Sequence, residues 1–108
     1  MGHYHDSDDL KLLGTLKQLA PAEFKGFVEL DAIVGREGAI PRKYRELMAL
    51  AVAFTTQCPY CLDVHTRNAK KAGASREEVA ETAFIAAALR AGAAVTHGAL
   101  AIKLFDQA

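Results

Sequence analysis

Tryptophan is absent from the 108-residue chain, and aromatic residues make up only 7%. Its core must therefore be built from small side chains and closely approaching backbones. No sign of charge is in excess either: thirteen Lys and Arg balance thirteen Asp and Glu, for a formal net charge of zero. That balance excludes the strongly electropositive classes, nucleic-acid and membrane-surface binders. No run approaches the roughly 18 consecutive apolar residues of a bilayer span, and Met1 to Asp6 lack the basic-then-apolar order of a secretory signal. There is no glycine-rich phosphate loop. These absences predict a cytoplasmic protein. In that reducing compartment the chain's only two cysteines, Cys58 and Cys61, point to chemistry or metal rather than to a structural staple.

Hydrophobic residues reach 51%, too many for a disordered chain, and 21 of the 108 residues are alanine. The length fits one domain, residues 1–108. A chain this short buries only about 65% of its unfolded surface. So much apolar surface in so little protein predicts an oligomer.

The pattern reads as about six helical segments, an all-α fold. Ser7 reads as an N-cap before the acids Asp8 and Asp9, with Leu10, Leu13, Leu16 and Leu19 following at helical spacing. Pro21 opens a second helix carrying Phe24, Phe27, Val28 and Val34. Gly35 and Gly38 mark a loop, Pro41 opens a third helix to about Thr56, and Pro59 a fourth that stops near Gly73. Ser75 to Glu78 is a capping box. It launches a fifth helix predicted to break near Gly92, with a last segment to Phe105. The apolar run Leu47 to Phe54 also suits a buried strand, but Val52 is its single β-branched residue. Helix is the better reading.

The informative stretch is Cys58-Pro59-Tyr60-Cys61-Leu62-Asp63-Val64-His65. With Pro59 first in the helix, Cys58 is the N-cap and Cys61 lies in the first turn. At about 100° per residue, Cys58, Cys61 and His65 fall within roughly 60° of one face. Two thiols so spaced can close a disulfide, and a helix N-terminus favours the thiolate. Bringing a thiol from a pKa of about 8.5 to about 7 takes roughly 2 kcal/mol. An exposed helix terminus supplies about 0.3–1 kcal/mol, so a second group is needed, and His65 is placed to take the proton or stabilise the anion. The bland alternative is a polar residue on a half-exposed helix.

Glu46 is the next candidate, because the positions following it at helical spacing, Ala49, Leu50 and Ala53, form an apolar face. A buried carboxylate must be paired, protonated or at work. An ion pair with Arg42, one turn back, would satisfy it. An acid of raised pKa there could instead serve as base or proton reservoir behind His65, through water.

Glu46, eleven residues, then Cys58-x-x-Cys61-x-x-x-His65 within an alanine-rich helical chain resembles the AhpD-like alkylhydroperoxidases of the carboxymuconolactone decarboxylase superfamily. Arg45-Glu46-Leu47 through Ala53, Cys58 to Ala72, the Gly73-Ala74-Ser75 turn and the Glu77-Glu78-Val79 helix start share the likeness, which spans roughly residues 20–105. The resemblance implies a peroxidase with no bound cofactor or metal. Cys61 would be the thiolate that attacks a hydroperoxide, and Cys58 would donate a proton and then resolve the sulfenic acid as a disulfide. Glu46 and His65 would form the proton relay. It also implies a lipoyl- or thioredoxin-like protein reductant and assembly by interlocked helices into a homotrimer or homohexamer. In one respect the chain departs: Tyr60 stands where the prototype has a further histidine.

Three rivals remain. Cys58-Pro59-Tyr60-Cys61 is also the glutaredoxin tetrapeptide, but that fold needs a later proline facing the disulfide, and none follows Pro59. General thiol–disulfide exchange on a helical fold stays open. Zinc could take Cys58, Cys61, His65 and a fourth ligand such as Glu46, although the usual second ligand pair is missing. Lactone decarboxylation needs no cysteine pair. Elsewhere, His3 and His5 belong to a terminus, His97 to a packed or interface position, and Arg42, Lys43, Arg45, Arg67, Lys70, Lys71 and Arg76 to solvated faces. Phe24, Phe27, Phe54 and Phe84 are read as core, and Gly92 and Gly98 as sites of close helix contact.

Overall fold

A computed structural model describes residues 4–108; His3 lies outside the described residues. Among those described there is no strand, and the order is a 3-10 segment Ser7–Leu12 followed by α1 Leu13–Leu19, α2 Pro21–Val34, α3 Arg42–Thr56, α4 Pro59–Lys71 and α5 Arg76–Gln107. The all-α expectation holds, with three local corrections. The first N-cap is Asp6, one residue before Ser7: its carboxylate accepts the Asp8 N–H, and its own N–H donates to Asp9. Pro41 caps α3 from outside rather than opening it. The break expected near Gly92 does not occur, and α5 runs on for 32 residues. One glycine costs a helix about 1 kcal/mol, and the alanines around Gly92, the best helix formers, offset it.

Each helix end has a local cause. Pro21 and Pro59 occupy first-turn positions, where the missing N–H costs nothing. Ser75 and Glu78 form the predicted capping box, Ser75 Oγ accepting from the Glu78 N–H at 3.1 Å and Glu78 accepting from the Ser75 N–H at 2.9 Å. α3 stops at Gln57, whose left-handed backbone (φ 57°, ψ 49°) turns the chain straight into Cys58. Gly73, at φ 93°, ends the turn after α4 where a side chain would be strained.

α3 is the hub and packs against both α4 and α5. Its inward stripe of Glu46, Leu47, Leu50 and Ala53 is buried, with Ala69 of α4 and Ala86 of α5 opposite. Phe54, Leu62, Ala74 and Val79 close around this core. The core is small-residue as expected, but two of its proposed members are not in it: Phe27 and Phe84 are 59% and 78% exposed. α1 and α2 pack on each other, and the 3-10 segment touches α1 and the start of α4.

Arg45 ties α2 to α3. Its guanidinium donates to the carbonyls of Val34 and Ile40, both at 2.9 Å, capping the C-terminus of α2 and the loop beyond it. A methyl group on Gly38 would meet that guanidinium. Gly38→Ala should therefore cost about 1–2 kcal/mol through the displaced charged hydrogen bonds, read as a lower midpoint in urea unfolding, whereas Gly26→Ala, with open space around it, should not.

The accessible surface is 8620 Å², against about 5,800 Å² for a compact monomer of this mass. The radius of gyration is 17.9 Å, where a compact chain of this length has about 13 Å. Exposed apolar side chains are spread over several helices, α5 among them, where Leu89, Val95, Ile102 and Phe105 are exposed. By length and composition alone, α5 could also cross a bilayer. Among the described residues nothing stands close to where a side chain on Gly92 or Gly98 would begin.

Candidate active site

The two-residue turn Gln57–Cys58 delivers Cys58 to the N-cap of α4, as the position of Pro59 predicts. Its sulfur accepts the Cys61 N–H at 3.3 Å. The two sulfurs lie 2.6 Å apart, unbonded and both half-buried. One turn further along α4, His65 Nδ1 is 2.6 Å from Glu46 Oε2. Glu46 is 4% exposed, so its carboxylate is buried and partnered, by the ring rather than by Arg42. A hydrogen bond donated by Nδ1 to this carboxylate would leave Nε2 as the free acceptor of a neutral ring. Among the described residues no hydrogen bond joins His65 to either sulfur. The four predicted residues thus form two adjoining pairs, a dithiol and a carboxylate–imidazole dyad.

The two thiols differ. The hydrogen bond from Cys61, followed by the Cys61 and Tyr60 backbone N–H groups, holds the Cys58 pKa below its ordinary value. The same contact with Cys58, then burial and the neighbouring Cys58 charge, push Cys61 up to about 11. Cys58 is therefore the more acidic of the two thiols. The N-cap sulfur faces unpaired helix donors, whereas the sulfur one turn inside does not.

A cleft of about 960 Å³ opens beside the dyad, lined by Glu46, His65, Asn68 and Val52 and walled on the far side by Asp31 and Val34 of α2. The Asp31 charge contributes to raising Cys61. That role of α2 has no signal in the sequence. Neither does Tyr60, whose hydroxyl donates to Asp9 Oδ2 at 2.7 Å across 51 residues of chain. His97 is exposed, its Nδ1 2.7 Å from the Ala93 carbonyl of its own helix. Among the described residues, no group of three or more His, Cys, Asp or Glu side chains is gathered to hold a metal ion.

Several proteins are similar to this chain. A Haemophilus influenzae protein is 40% identical over 102 residues, 94% of this chain and 90% of its own length. The Paracoccus denitrificans "Uncharacterized protein 4 in cox locus" is 35% identical over 88% of this chain and 86% of its own. The crystal structure of an apo carboxymuconolactone decarboxylase family protein from Legionella pneumophila superposes with a TM-score of 0.71 at 31% identity, over 93% of this chain and 89% of that one. The model of the carboxymuconolactone decarboxylase family matches residues 21–104. With the helical fold and nearly the whole chain accounted for, the protein belongs to the carboxymuconolactone decarboxylase family, the superfamily to which the spacing of Glu46, Cys58, Cys61 and His65 pointed.

Proposed function

We propose that the protein is a thiol-dependent peroxidase that reduces hydroperoxides through Cys58 and Cys61. The observation that carries this reading is a dithiol with its sulfurs 2.6 Å apart, one helical turn from a buried Glu46–His65 pair. Cys61 is the thiol that needs a base, because its neighbour and its burial hold its proton. His65 Nε2, with Glu46 stabilising the imidazolium, takes that proton through solvent. The Cys61 thiolate then attacks the terminal peroxide oxygen and the O–O bond breaks. The leaving alkoxide takes the Cys58 proton and departs as the alcohol. The Cys58 thiolate next attacks the Cys61 sulfenic acid, and the hydroxide released takes the His65 proton to leave as water. One hydroperoxide and two thiols become one alcohol, one water and one disulfide. A lipoyl- or thioredoxin-like protein restores the dithiol.

The test is a thiol count. One equivalent of an organic hydroperoxide should remove both thiols and lower the intact mass by two hydrogens, with peptide mapping placing the bridge at Cys58–Cys61. Thiols that survive peroxide but are lost to a protein disulfide would overturn the peroxidase. That outcome selects the second reading, general thiol–disulfide exchange, which the depressed Cys58 pKa favours, since the more acidic, N-cap sulfur is the better nucleophile for a disulfide.

The surface excess supports assembly into a homotrimer or homohexamer in which α5 of one copy packs on another. Gly92 and Gly98, open within the chain, then permit the close helix approach read from the sequence.

A further inference from the structure

We propose that Tyr60 is a positioning residue for the Cys58–Cys61 pair, acting through its hydrogen bond to Asp9, so that seating of the N-terminal segment sets the reactivity of Cys58. The inference rests on these cysteines being the redox pair of the proposed function. Tyr60 lies in the first turn of α4, and the backbone N–H groups that face the Cys58 sulfur belong to Tyr60 and Cys61. First turns fray, and these donors stabilise a thiolate only while the turn stays wound. Within this turn the Tyr60 hydroxyl reaches a residue distant in sequence, donating to Asp9 Oδ2 at 2.7 Å.

Asp9 is itself fixed. The same Oδ2 accepts the Asp6 N–H at 2.8 Å, inside the cap that starts the 3-10 segment. The His5 ring stands edge-on to Tyr60, 6.3 Å between centroids. Leu10, Leu13, Leu16 and Tyr60 also line an apolar groove of about 490 Å³. Tyr60 thus ties the redox motif to the N-terminal segment. Its phenolic proton is directed at a carboxylate and, among the described residues, at neither sulfur, so it takes no part in a relay in place of the family histidine.

Charge and position act in opposite directions here, which separates them. The Asp9 carboxylate, held ionised by the Tyr60 and Asp6 hydrogen bonds, opposes a nearby thiolate. Deleting its charge alone would speed Cys58, whereas unwinding the turn would slow it. The experiment is alkylation of the reduced full chain by iodoacetamide at pH 7, mapped to Cys58 by mass spectrometry, with the dithiol–disulfide equilibrium measured against glutathione. Tyr60→Phe and Asp9→Ala should each slow Cys58 by about threefold or more and make the pair harder to reduce. Asp9→Asn keeps an acceptor oxygen for Tyr60 and should stay within about twofold of wild type. Unchanged or faster alkylation in Tyr60→Phe and Asp9→Ala overturns the proposal, as does an Asp9→Asn variant as slow as Asp9→Ala. Neither readout uses a peroxide, so Tyr60 is judged separately from the peroxidase itself.

Discussion

Cys61→Ser should retain less than about one-thousandth of wild-type peroxide turnover. A serine hydroxyl keeps the shape of the site but offers no nucleophile that His65 can activate near neutral pH, and it cannot pass through a sulfenic acid. Cys58→Ser should behave differently. Cys61 still attacks, so the variant consumes one equivalent of hydroperoxide and then stops, holding a sulfenic acid that dimedone traps on Cys61 and nowhere else. Turnover and trapping together read out the roles. A Cys61→Ser chain that still turns over would remove Cys61 as the attacking thiol. Sulfenic acid trapped on Cys58 of that variant would move the role to the sulfur with the depressed pKa.

The second large effect concerns α5. Val95 and Ile102 lie seven residues apart on one face of the helix, 73% and 65% exposed in the single chain. The protein's surface excess, about 2,800 Å² over a compact monomer, is the area of a large obligate interface. Val95→Glu with Ile102→Glu would bury unpaired carboxylates there, at several kcal/mol. A 3 kcal/mol penalty is about 150-fold in association. Sedimentation without detergent should find the wild type at a small multiple of 11.6 kDa and the double variant mostly at that mass, with reduced helicity. A wild-type chain sedimenting as a monomer would overturn the assembly. One that enters solution only with detergent would reassign the face to lipid.

What could be read from the amino acids alone follows the range of the physics. α3, α4 and the starts of α4 and α5 are local events: Pro59 fixes a first turn, Ser75 reaches Glu78 three residues on, and Cys58 is left at a cap. The Glu46–His65 bond spans only 19 residues and one turn, and the buried face of α3 already singled out Glu46. Gly92 reads as a break but does not make one, because glycine's cost is small against a long alanine-rich helix. Phe27 and Phe84 are exposed although their type and spacing suit a core, because the sequence shows which residues are apolar and not which surface covers them. The Tyr60–Asp9 and Arg45–Val34 ties left no pattern, since each joins residues whose separation has no period.

Between α3 and α4 only Gln57 and Cys58 are non-helical, which leaves the two helices no slack. The azimuth of His65 about its axis is locked to that of Glu46 through a single left-handed residue. A residue inserted within α4 between Cys61 and His65 would rotate one against the other by about 100°, separating dithiol from dyad with every reactive side chain still present. The proposed site is thus encoded in a count of residues as much as in their identities, and Gln57, which turns the chain from α3 into Cys58, belongs to it.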